Sequence, residues 1–199
     1  MKQAFLFISG ILTVLYVVPY IRDILRRTTK PNIVTWITWT ILTAIATAAE
    51  FTAGEYRTAI YTAISTLSTL SIVIFGLRYG YARYSRFDII CQVGALSGII
   101  IWQLFNSPTL GLIATVMIDF IGALPTYRHS WYQPQEETWQ TYALSAAGAA
   151  FAILALTSYN FVSLSFAVYI LISDIAISLI IISRLRTRLI HELPQESGL

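Results

Sequence analysis

The chain has 199 residues, of which 56% are apolar and 12% charged, with a formal net charge of +3 and a mean hydropathy of +0.67. That composition excludes an ordinary soluble domain and points to a bilayer-embedded chain. The single Cys91 excludes an internal disulfide and redox chemistry built on one.

In chain order, the apolar runs predict seven spans, near residues 3–20, 33–51, 57–77, 88–105, 109–126, 138–157 and 161–183. The first is too long for a cleaved signal peptide and leads into Pro19-Tyr-Ile-Arg22, not a small-residue cleavage site. Four stretches long enough to span carry no charge at all (31–49, 58–77, 89–118 and 138–173). The last two stretches are too long for one helix each. Asn106-Ser107-Pro108 divides one, and Thr157-Ser158-Tyr159-Asn160 the other. Alternate loops then share a side. One side holds eleven Lys and Arg residues (Arg22 to Lys30, Arg78 to Arg86, Arg128, Arg184 to Arg188), the other only Lys2 and Arg57. By the positive-inside rule the N-terminus is expected outside and the C-terminus in the cytoplasm. These loops account for the basic charge, so no nucleic-acid partner is expected.

A duplication runs through this pattern. Pro19-Tyr-Ile-Arg22, then Pro31 and Thr35-Trp36-Ile-Thr38-Trp39, returns as Pro125-Thr-Tyr-Arg128, then Pro134 and Thr138-Trp139-Gln-Thr141-Tyr142. It predicts an all-α membrane protein of seven transmembrane helices, in which two parallel three-helix bundles are joined by a linker helix. The units are residues 1–78, a linker at 79–107, residues 108–188, and a cytoplasmic tail at 189–199. Gly94 and Gly98 in the fourth span suit close helix packing. Pro31 and Pro134 read as helix starters. Pro19 and Pro125 are hinge candidates with Gly122, and Arg22 and Arg128 are anchors at the cytoplasmic face.

Asp119 and Asp174 fall inside predicted spans, where a carboxylate costs about 2.5–3.5 kcal/mol and faces a cavity or a partner. Each is a candidate substrate- or proton-binding group; a structural hydrogen bond to Ser, Thr or Trp is the alternative. Gly122 and Pro125 follow Asp119 on the same helix face. Trp36 and Trp139, equivalent in the repeat, read either as belt anchors or as a gate pair. Trp131, in what reads as a polar loop, is expected at the interface. Glu50, Glu55 and Arg57 form an outer rim, and Gln92 and Gln103 suit helix contacts. His129 and His191 read as loop residues without metal-ligand company. No lysine lies within a span, which excludes a retinal Schiff base. No nucleophile–base pair or phosphate loop is present, so no enzyme, cofactor or metal is expected.

The three-plus-one-plus-three order, together with Pro19, Arg22, Thr29-Lys30-Pro31, Pro125, Arg128 and Pro134, resembles the PQ-loop superfamily. That group includes the SWEET sugar facilitators and, more distantly, nicotinamide-riboside transporters. Its defining Pro-Gln dipeptide is here Pro19-Tyr20 and Pro125-Thr126. The stretch Asp119 to Ser130, with Pro134 and Glu137-Thr138, is also similar to a group of bacterial integral membrane proteins of unassigned function. The resemblance implies alternating access between two bundles, in a bacterial inner membrane, with a sugar-like or vitamin-like solute at mid-bilayer. The partners expected are therefore the lipid bilayer and a small polar solute, with a homo-oligomer left open. A second reading is a membrane sensor, scaffold or assembly partner that uses Arg184, Arg186 and Arg188.

Overall fold

A computed structural model describes residues 1–52, 54, 56–102 and 108–192. Glu55, Gln103, the Asn106-Ser107 break and residues 193–199 lie outside the described residues, as do the side chains of Arg57, Trp102 and His191. Among the described residues the chain is helical, without strands. The elements are α1 (Lys2–Leu15), α2 (Val17–Leu25), α3 (Ile33–Thr52), α4 (Tyr56–Tyr79), α5 (Arg86–Trp102), α6 (Pro108–Tyr132), the short 3-10 turn η1 (Pro134–Glu136), α7 (Trp139–Ala155) and α8 (Phe161–Glu192). With α1 and α2 as one interrupted path, these make seven helices.

Five of them are long and apolar enough to cross a membrane: Lys2–Leu25, Ile33–Thr52, Thr62–Tyr79, Leu110–Tyr132 and Leu164–Arg188. The other two, α5 and α7, have 17 residues each. At 1.5 Å per residue each is about 25 Å long, against a hydrocarbon core of about 30 Å.

The interruption between α1 and α2 has a local cause. Pro19 has no N–H to give to Leu15 four residues back, and α1 ends at Leu15. Tyr16 keeps a right-handed helical conformation and still bonds Leu12 O at 3.0 Å, so the path bends without turning back. Pro125 lies inside α6, which continues through it. The two repeat prolines therefore have different effects.

Two helices outrun their apolar stretches. α6 continues to Tyr132 and α8 to Glu192, because Arg and Glu end a membrane span without ending a helix. Three loop assignments are corrected as a result, and the first is His191, which lies in the last turn of α8. Trp131 is in the last turn of α6, half-exposed, with Arg184 Cζ 4.7 Å from its ring centre. His129 lies in the same helix, its side chain 10% exposed. Arg184 Nε donates to Trp131 O at 3.1 Å and Arg188 Nη2 to Tyr132 O at 2.5 Å, so two cations cap the carbonyl end of α6.

α3 packs on α4 and α7 on α8; α1 packs on α7 and α3 on α6; α2 meets α4, and α6 meets α8; α5 lies against α6 and α3. Three connections meet at one end. Lys30 N donates to Glu136 O at 2.9 Å and Ala82 N to Pro31 O at 3.1 Å. Because these connections and the ends of α6 and α8 carry most of the Lys and Arg residues, we call it the basic end. The main core lies towards it: Tyr16, Tyr20, Ile24, Trp36, Ile72 and Tyr142 with Ile177 and Ile181. A smaller core joins Ala95, Ile99 and Ile118 on α5 and α6.

Candidate functional site

Asp119 and Asp174 are both buried, at 5% and 7% exposure. Asp119 lies about 16 Å along α6 from Pro108, and Asp174 about 20 Å along α8 from Phe161, at 1.5 Å per residue. The Tyr169 hydroxyl of α8 donates to Asp119 Oδ2 at 2.6 Å, and the Trp39 side chain of α3 is a second hydrogen-bonding neighbour. Asp174 is bonded by Ser145 of α7 and lies close enough to Asp119 to interact electrostatically. Tyr127 of α6 donates to Ser173 Oγ at 2.9 Å and Ser173 O at 3.1 Å, and Ser173 also bonds Tyr169.

Helix periodicity explains the convergence. Tyr169 and Ser173 are four residues apart on one face of α8, and Asp119 and Tyr127 are two turns apart on α6. The result is a polar layer drawn from α3, α6, α7 and α8. It holds two carboxylates and several hydroxyls; α3 and α7 carry no Lys or Arg, and those of α6 and α8 begin at Arg128 and Arg184, nine and ten residues beyond Asp119 and Asp174. Such a layer can accept hydrogen bonds from a hydroxyl- or amine-bearing solute, or hold a proton.

A second polar layer lies at the basic end and joins the first half of the chain to the second. Tyr20 Oη donates to Glu137 Oε2 at 2.8 Å and Tyr142 Oη donates to the same oxygen at 3.0 Å. Trp36 Nε1 donates to Tyr20 Oη at 3.2 Å. Thr138 Oγ1 donates to Asp23 Oδ2 at 3.1 Å and shares a 2.6 Å hydrogen bond with Thr29 Oγ1. Lys30 Nζ pairs with Glu136. We call this layer the seam. Glu137 is 6% exposed. Burial pushes its carboxyl up to about 8, against the lowering effect of the two tyrosine donors.

α2 is set for this contact by its C-terminus. Thr28 N bonds Asp23 O at 3.0 Å and Arg27 N bonds Ile24 O at 2.9 Å, a Schellman-type end with Arg27 in the left-handed region at φ 59°.

Trp36 is 1% exposed and inside the seam, its ring 5.0 Å from Tyr20 and edge-on to Trp39 at 4.8 Å. Trp139 is 37% exposed, so the repeat-equivalent tryptophans occupy unlike surroundings. The aromatic facing Tyr20 from the second half is Tyr142, edge-on at 6.3 Å. Gly122 lies at a tight contact of α6 with α3: a Cβ there would meet Thr38 Cγ2 at 2.6 Å. Arg22 pairs with its neighbour Asp23 at 2.8 Å. Arg128 donates to Ser85 Oγ at 2.9 Å and lies over the Phe87 and Tyr132 rings. Gln92 accepts from Thr38 Oγ1 at 2.7 Å, and Glu50 from Thr62 Oγ1 at 2.5 Å.

Glu137 is the buried carboxylate of this layer that sequence reasoning did not single out. Beside Gln135 and Glu136 it looks like part of a polar loop. The duplication carried the signal, because its counterpart in the first copy is the apolar Val34.

Between α1 and α4 an apolar groove of about 680 Å³, lined by Leu6, Phe7, Ile11, Val14 and Ile64, is open at the surface. Comparison with protein-family models, curated proteins and solved structures finds no match to this chain.

Proposed function

We propose that this protein carries a small polar solute across a bacterial inner membrane by alternating access, with the basic end in the cytoplasm. The observation that carries the reading is the convergence of Asp119, Asp174, Tyr127, Tyr169, Ser145 and Trp39 at mid-helix depth, on helices from both halves of the chain. Intramembrane carboxylates without a resident cation are expensive, and binding a solute or proton offsets that expense. The sugar-like or vitamin-like class follows from the family resemblance and from the hydrogen-bonding character of the layer.

Helix pairing supports a two-bundle arrangement. α3 on α4 corresponds to α7 on α8, α1 on α7 to α3 on α6, and α2 on α4 to α6 on α8. Each pair maps onto its counterpart when the first copy is exchanged for the second, as a pseudo-twofold axis along the membrane normal requires. α5 is then the linker. The seam would be the closed cytoplasmic gate, Asp119 and Asp174 the solute or proton site, and the bend above Pro19 a hinge. The gathering of Lys and Arg at one end favours the cytoplasmic orientation.

The scaffold reading has less to draw on, since Arg184 and Arg188 are engaged within the chain. The test is a thermal-stability screen of purified protein against sugars, polyols, amino acids, nucleosides and vitamins. A ligand at 100 times its dissociation constant adds about 2.7 kcal/mol. A hit abolished by Asp119→Asn supports the reading; a hit equally strong in Asp119→Asn and Asp174→Asn overturns the site.

A further inference from the structure

Glu137 uses one carboxylate oxygen to tie the seam together, and its other oxygen is unspent. Oε2 takes hydrogen bonds from Tyr20 on α2 and Tyr142 on α7. Oε1 is buried and has no hydrogen-bond partner among the described residues, and the same holds for His129 Nε2. The two atoms face each other at 4.0 Å. His129 bonds the Lys30 backbone; since Nε2 is unpartnered, the bonding atom is Nδ1, which donates to the carbonyl. In that tautomer Nε2 carries a lone pair. Glu136 Oε2, at 3.7 Å, is a further acceptor facing the same nitrogen. Acceptors therefore confront one another in a buried place, and a single proton would convert the confrontation into a hydrogen bond.

We propose that Glu137 is a proton-binding site through which pH controls opening of the seam. A proton taken from the basic-side water sits on Glu137 Oε1 and is directed at His129 Nε2, adding a contact between the start of α7 and the end of α6. Nothing else is transferred. When the seam opens, Glu137 leaves Tyr20, is hydrated, and releases the proton to the same side.

The sign follows from burial. The closed seam holds the carboxyl up near 8, whereas a hydrated glutamate titrates near about 4.3. The closed form binds the proton more tightly, so acid favours closure, and alkali favours opening as pH rises through that interval. The groups facing Glu137 are Tyr20 and, through Thr138, Asp23 from α2; Lys30 from the connection to α3; His129 from α6; Glu136 from η1; and Tyr142 from α7. Asp88 at the start of α5 acts on His129. The inference rests on the transporter reading only in taking the seam as a part that opens.

The experiment is a distance measurement across the seam in the full-length protein in nanodiscs. Spin labels are placed on Arg26→Cys and Gln133→Cys, both exposed, in a Cys91→Ser background, between pH 5.5 and 9.5. A short distance at acid pH is expected to give way to a longer one as pH rises. Glu137→Gln, a neutral side chain that still accepts from both tyrosines, is expected to stay short throughout. Tyr20→Phe removes a donor to the carboxylate and is expected to move the transition to higher pH; it also serves if Glu137→Gln does not fold. A flat wild-type response, an unchanged response in Glu137→Gln, or an unmoved midpoint in Tyr20→Phe overturns the proposal. A pH-driven seam in a protein that takes up no solute leaves this inference standing and removes the transporter; solute uptake with a static seam does the reverse.

Discussion

Gly122→Ala separates packing from hinge motion at a position with claims to both. The added Cβ would lie 2.6 Å from Thr38 Cγ2 and 3.1 Å from Thr38 Cβ. Thr38 cannot easily move aside. It is fully buried, and its hydroxyl bonds Val34 O at 3.1 Å and Gln92 Oε1 at 2.7 Å. Its branched side chain is also stiff at χ1. Overpacking costs about 1–3 kcal/mol, and alanine returns about 1 kcal/mol of helix propensity over glycine. A net loss of up to about 2 kcal/mol is expected. For a chain of this size it lowers the melting temperature by up to about 8 °C. Thr38→Ser deletes Cγ2 and keeps the hydroxyl, so the double variant should recover most of the loss, a coupling of about 1 kcal/mol. Gly94→Ala is the control: its nearest neighbour is Ile121 Cγ2 at 3.5 Å, and a small gain is expected. Thermal unfolding in detergent reads all four proteins. A Gly122→Ala protein that melts at or above wild type, or one not rescued by Thr38→Ser, refutes the packing argument.

Tyr20→Phe removes the acceptor of the buried Trp36 Nε1 and a donor to Glu137, so a loss of about 1–3 kcal/mol is expected in the same melts. Arg27→Gly relieves a left-handed residue at the end of α2 and should gain about 1 kcal/mol; a loss would contradict that helix end. Pro19→Ala restores an N–H for Leu15 O, and is expected to leave the melting temperature unchanged or higher while slowing uptake. Since folding raises the Glu137 carboxyl to about 8, its contribution is fully present below about pH 4.3. It is lost as pH rises through 8. Glu137→Gln should flatten that part of a pH–stability profile.

The helices were legible because a membrane chain writes its spans as charge-free runs, and α3, α4 and α7 begin and end within a few residues of those runs. The far ends of α6 and α8 were not, because Arg128 and Arg184 end the apolar runs but not the hydrogen-bonded backbone. Asp119 and Asp174 stood out as isolated charges in apolar text. Their neighbours did not: Tyr169, Tyr127 and Trp39 are ordinary residues of spanning helices until packing turns them to one layer. The repeat paired Trp36 with Trp139, yet only Trp36 is buried. The second copy turns Tyr142 inward and spends its extra carboxylate, Glu137, on the contact. Divergence of that kind is written in tertiary structure, and the Val34–Glu137 mismatch was one trace of it in the sequence.

The most direct measurement is solute uptake into proteoliposomes containing the wild-type protein, Asp119→Asn or Asp174→Asn, each confirmed folded by its melting curve. The expected result is that a solute class stabilising the wild type enters wild-type vesicles faster than protein-free ones, and that both variants fall to the protein-free rate. Uptake at the wild-type rate by both folded variants would contradict a transport site built on the two carboxylates.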